Sequence, residues 1–199
     1  MWESPLMFPL KVFVVFIHEI SHGLAAVLTG GAIESIRLTA NEGGLCVTRG
    51  GSRFLTLSAG YLGSLFFGSL LVLAAARSRR DRALVALLGL LLLAVTLLFV
   101  RTAFGFAYGL AVSGALILAA RKLPESVSDA ILKVLGAMSC LYAVWDIASD
   151  VLLRDVPESD AQALARLTGI PALLWGLLWI GVAIVVTALT LWKSARGRR

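Results

Sequence analysis

Apolar residues in this chain gather into long runs divided by short charged or glycine-rich breaks. A helix needs roughly 20 such residues to cross a hydrocarbon core of about 30 Å. By length and charge punctuation the runs predict six spans, at about 8–29, 54–76, 83–100, 102–120, 131–152 and 171–192. Only Arg101 and Thr102 divide the third from the fourth, so this pair is expected either as a tight hairpin or as one long, bent element. Met1 to Pro9 carries neither a basic stretch nor a small-residue cleavage site, and the first span is expected to be retained.

The break between the first two spans, Gly30 to Arg53, has its own pattern. Residues alternate through Ile33-Glu34-Ser35-Ile36-Arg37-Leu38 and Leu45-Cys46-Val47-Thr48, bounded by the pairs Gly30-Gly31, Gly43-Gly44 and Gly50-Gly51. That pattern predicts a small β-hairpin. Strand edges cannot face lipid, so the hairpin must lie at the interface or against protein. Small residues recur at four-residue spacing as Gly60, Ser64 and Gly68 in the second span and as Gly105, Gly109 and Ser113 in the fourth, which lets helices pack closely. After the fifth span, the polar segment Arg154 to Pro171 reads as a short interfacial helix, with Ser159 or Asp160 as N-cap and Gly169 and Pro171 as the stop. The fold class expected is an all-α polytopic membrane protein, about six transmembrane helices with a β-hairpin between the first and second, in one domain over 1–199.

Composition agrees, with 59% hydrophobic residues, 15% charged and a mean hydropathy of +0.90. A soluble enzyme is excluded. The net charge of +6 comes from Lys and Arg in short loops and at the tail, which suits juxtamembrane flanks and lipid contact and gives no reason to expect nucleic acid. With six spans, Arg77, Arg79, Arg80, Arg82, Arg121, Lys122, Lys193, Arg196, Arg198 and Arg199 collect on one side, which places both termini in the cytoplasm by the positive-inside rule. Cys46 and Cys140 are too few and too far apart for a disulfide framework.

The chemistry lies in the first span. His18-Glu19-Ile20-Ser21-His22 is an HExxH motif and contains both histidines of the chain. Four-residue spacing puts the two imidazoles on one helical face, able to share a metal ion, with Glu19 beside them as a candidate base. An ionisable group at the centre of a membrane helix costs about 2.5–3.5 kcal/mol, so three polar groups in this spacing imply a purpose. A catalytic zinc usually takes three protein ligands, and with two histidines a carboxylate must complete the set. Asp81, Glu125, Asp129, Glu158 and Asp160 fall in loops, whereas Asp146 and Asp150 lie in the fifth span on one helical face. Either is the expected ligand, Asp146 being the deeper. The competing reading leaves the pair solvated at the aqueous end, with Arg154 beside Asp150.

These residues resemble the site-2 protease family of intramembrane zinc metallopeptidases, in particular its short branch. The resemblance rests on HEISHGLAAVLTGG at 18–31, AGYLGSLFFG at 59–68, LYAVWDIASD at 141–150, ESDAQALARLTGIP at 158–171 and WGLLW at 175–179. It implies that His18 and His22 bind zinc with Asp146 or Asp150, and that Glu19 is the base. It also implies that Gly60, Gly63 and Ser64 help to hold a substrate strand beside the hairpin. The family form has proline and asparagine where this chain has Tyr61 and Ser64, and the usual Leu-Asp-Gly motif is replaced by Asp146-Ile147-Ala148-Ser149-Asp150. In most relatives the hairpin faces the cytoplasm, opposite to the charge count.

The function implied is hydrolysis of peptide bonds in membrane-embedded protein or peptide substrates by a multi-pass protein of the cell (plasma) membrane. Two other readings stand beside it. One is a catalytically silent metal-binding membrane protein with a structural or sensing role, which the altered motifs suggest and Glu19 argues against. The other is a small transporter using His and Asp as a relay, for which the chain shows no internal repeat.

Overall fold

The computed structural model describes residues 7–153 and 159–196. Met1 to Leu6, Arg154, Pro157, Glu158, Arg198 and Arg199, which enter the sequence reading, lie outside the described residues. Within them the chain runs α1 (Phe8–Leu28), β1 (Ala32–Leu38), β2 (Gly44–Arg49), α2 (Arg53–Arg77), α3 (Asp81–Phe99), α4 (Ala103–Lys122), α5 (Glu125–Ala148), α6 (Asp160–Thr168) and α7 (Ala172–Arg196). A π-helical turn, Ser149–Leu153, continues α5.

Six of these helices, all but α6, are long and apolar enough to cross a membrane, as the apolar runs predict. The open question of spans three and four is settled as a hairpin. α3 ends at Phe99, and Thr102 caps α4 by accepting from the Gly105 amide. The fifth helix starts at Glu125, earlier than the expected 131, because its polar first turns bond locally: Lys133 Nζ donates to Asp129 Oδ2 at 2.8 Å.

α1 lies at the centre, with Phe13, Val14 and Phe16 fully buried, and packs on α2, α5 and both strands. Leu97, Leu98, Leu118, Leu178 and Val185 on α3, α4 and α7 stay exposed, as expected of an outer surface that lipid covers. The small-residue stripes do bring helices together: Gly68 of α2 meets the Gly136 carbonyl of α5, and Gly109 of α4 packs on Thr96 of α3. Arg82 donates through its side chain to the carbonyls of Ala120 and Arg121, so the basic breaks after α2 and after α4 are adjacent.

The hairpin is antiparallel, pairing Ile36 with Cys46 and Leu38 with Gly44, with an irregularity between Ile33 and Ser35. It lies against protein, as the cost of unpaired backbone in lipid demands. Lys11 of α1 reaches Glu42 in the tip, with Nζ 3.1 Å from Oε2. The outer edge of β1 is covered by the α3–α4 turn. Ile36 bridges Val100, the Arg101 amide donates to the Ile36 carbonyl at 3.0 Å, and Thr102 Oγ1 donates to the Leu38 carbonyl at 2.8 Å. β2 carries Cys46, which, like Cys140 in α5, is a free thiol.

Candidate metal centre

The centre is built where α1 crosses α2 and the start of α6 folds onto both. Four-residue spacing on α1 stacks His18 and His22 edge to face, with ring centroids 4.7 Å apart. Both Nε2 atoms point at one oxygen, Asp160 Oδ2, each at 3.1 Å. His22 Nδ1 lies 2.6 Å from the Thr56 carbonyl of α2. A carbonyl only accepts, so Nδ1 carries a proton and Nε2 is the nitrogen left to bind a metal.

Asp160 is the first residue of α6, with Ser159 as the N-cap, its hydroxyl accepting from the Gln162 amide at 3.4 Å. The cap thus falls on Ser159, which leaves the Asp160 carboxylate to face the histidines. Its Oδ2 is buried and makes no hydrogen bond of good geometry. Burial alone would raise the Asp160 carboxyl, but beside His22 and His18 in their protonated, metal-free form it is held below the usual carboxylate range. It therefore remains an anion, as a metal ligand must.

His18, His22 and Asp160 form a group whose ligand atoms all lie within 4.8 Å of one another. Bonds of about 2.0–2.1 Å in a tetrahedron separate donors by roughly 3.3 Å, close to the two nitrogen–oxygen distances found here. Two imidazoles and one carboxylate suit zinc, and a buried carboxylate oxygen without a hydrogen-bond partner between two imidazole nitrogens is what a cation would satisfy.

Asp146 and Asp150, the acids favoured by depth, are not brought into this group. Asp150 lies in the π-helical turn and accepts from the Tyr61 hydroxyl at 2.8 Å, one side chain removed from His18. Asp146 is near enough to Tyr61 to act on it electrostatically. The physical reason is the chain's path: the end of α5 brings Asp150 to the Tyr61 hydroxyl, while α6, packed on α2 and α7, brings Asp160 to the histidines. The residue that spacing passed over is Asp160, and its signal was the acid directly after Ser159 at the start of a helix short enough to fold back.

Glu19 is buried beside the histidines with its carboxylate against β2, and a side chain at Gly44 would overlap it. Gly60 is the close-approach point of α2: a Cβ there would collide with the His18 imidazole and the Asp160 carboxylate. Gly63 presses on Ser21 of α1 in the same way. Ser64 is 1% exposed and its hydroxyl donates to the Gly60 carbonyl at 3.0 Å. In this conformation Gly60 and Gly63 seat α2 on α1, Ser64 bonds within α2, and Gly60 forms part of the centre itself.

No curated protein and no solved structure gives a significant match to the chain. A family model described as Peptidase M50B-like matches residues 1–190 of the 199, and the chain, a multi-pass membrane protein by its six apolar helices, belongs to that branch of the site-2 protease family.

Proposed function

We propose that the protein is an intramembrane zinc metallopeptidase that hydrolyses peptide bonds of membrane-embedded protein segments in the cell membrane. The observation that carries this reading is the convergence of His18 Nε2, His22 Nε2 and the unbonded Asp160 Oδ2, with Glu19 on the same helical turn. His18, His22 and Asp160 would hold the ion. When bound, zinc supplies Lewis acidity for the scissile carbonyl and the attacking water. Glu19 takes the proton of that water at its carboxylate and returns it to the leaving amine nitrogen. The Thr56 carbonyl keeps His22 in the right tautomer throughout.

A substrate helix hides its carbonyls in hydrogen bonds and must open before attack. The hairpin offers such an opened segment one place to pair. The outer edge of β1 is covered by Val100 and Arg101, whereas β2, beside Glu19, has a strand on one side only among the described residues. Added to β2, a substrate strand would run past the base. Gly44, which lacks a side chain, leaves Glu19 room there.

The test is zinc content and cleavage of a membrane-peptide substrate by detergent-purified protein. Wild type should carry about one zinc per chain. Glu19→Gln should keep the zinc and lose 10²–10⁴-fold in cleavage rate, roughly the contribution of a general base. His22→Ala should lose the metal. Cleavage by Glu19→Gln at the wild-type rate would sink the catalytic assignment, and zinc without cleavage in wild type would favour the silent metal-binding protein.

A further inference from the structure

Two histidines of one motif are held in different ways. His22 is tied to the Thr56 carbonyl, and His18 is walled by rings. On one face of His18 stands His22, and on another Tyr61, whose ring centroid is 4.9 Å away at an interplanar angle of 79°. The Gly60 backbone closes the space beneath.

Tyr61 is itself fixed at both ends. Its ring packs on Trp179 of α7 at 5.4 Å, and its hydroxyl donates to Asp150 Oδ2 at 2.8 Å, with the residue 3% exposed. Asp150 owes its position to the π-helical turn, in which one extra residue per turn re-aims the side chain relative to an α-helix. α7 holds that turn in place, because Val151 fills the space that a side chain at Gly176 would need.

We propose that Tyr61, anchored by Asp150, is a positioning residue that sets the orientation of the His18 imidazole toward the metal. The inference rests on the zinc reading above and adds residues which that reading does not use. A ring turned by a few tens of degrees points its lone pair away from the ion, and outer partners of metal-bound histidines typically matter 10–100-fold in metal affinity. Asp150 thereby acts on the centre through Tyr61 without touching the ion.

The experiment uses the full chain in detergent, loaded with Co²⁺ as a spectroscopic probe, alongside zinc release to a chromophoric chelator. Tyr61→Phe removes the hydroxyl and leaves the ring. Asp150→Ala removes the anchor, and Asp150→Asn keeps an oxygen that accepts from the hydroxyl. Tyr61→Phe and Asp150→Ala should each shift the visible cobalt bands and release zinc about 10-fold faster, while Asp150→Asn stays near wild type. The double variant Tyr61→Phe/Asp150→Ala should release no faster than either single one, because both cut the same link. Unchanged bands and release in Tyr61→Phe, in a protein whose wild type binds cobalt, would overturn the inference. So would Asp150→Asn behaving as Asp150→Ala, since charge and not the hydroxyl bond would then matter. A wild type that takes up no cobalt would remove the zinc reading, and this inference with it.

Discussion

Asp160 and Asp150 approach the same histidine pair from different parts of the chain. Asp150 sits at the end of a long apolar helix, in a π-helical turn, and bonds to Tyr61, which packs on His18. Asp160 sits on a nine-residue helix that does not cross the membrane, and its oxygen meets both histidines directly. The cost of burying charge identifies acids that need partners, but it does not say which partner each one finds. A short helix folding back onto the bundle brings an acid to the centre from outside any span.

The largest effect should therefore separate Asp160 from Asp146, the deeper acid of α5. Asp160→Ala removes a ligand and should take bound zinc from about one per chain to near zero, whereas Asp146→Asn should leave the stoichiometry unchanged. Zinc counted by atomic absorption in both purified variants is sufficient. Retention of zinc by Asp160→Ala together with its loss in Asp146→Asn would reverse the comparison and return the third ligand to α5.

Gly60 tests the floor on which Asp160 and His18 meet. A methyl at Gly60 overlaps the His18 ring and the Asp160 carboxylate together, and neither is the free end of a flexible chain. Overpacking of this kind typically costs 1–3 kcal/mol. Gly60→Ala should accordingly lower zinc affinity more than Tyr61→Phe does, since it displaces two ligands at once. Gly63→Ala makes a useful control. Its clash is with Ser21, so it should lower thermal stability while disturbing cobalt spectra less.

Most of the architecture was legible because membrane folding leaves few alternatives. Apolar length marks helices, and glycine pairs around Ile33–Leu38 and Leu45–Thr48 mark a hairpin that lipid cannot solvate. The start of α5 was harder to see. Glu125, Ser128 and Asp129 look like a loop until the Asp129–Lys133 pair is known. At the centre, His18, Glu19 and His22 were legible from spacing alone, since a helix fixes their common face. Asp160 was not, because its place depends on how α6 docks against α2 and α7, a tertiary fact that local pattern does not encode. In the sequence Tyr61 stands out only as a departure from proline. Its link to Asp150 depends on the π-helical turn, which has no periodic signature.

The smallest effect concerns how α6 is kept formed. A nine-residue helix is too short to be stable by itself, so Asp160 depends on docking and on the Ser159 cap. Ser159→Ala removes the hydroxyl that accepts from the Gln162 amide and should cost about 1 kcal/mol. In metal-free protein that corresponds to roughly fivefold less hydrogen-exchange protection of the amides of α6. Amides of α5 near Tyr61 should not change, because the Tyr61–Asp150 bond does not pass through α6. Zinc should restore protection in α6, since opening the helix then requires breaking the Asp160 bond to the ion. Equal loss of protection in α5 and α6 would show that the two acid-bearing segments open as one unit, and the contrast between Asp160 and Asp150 would then be one of geometry without independent stability.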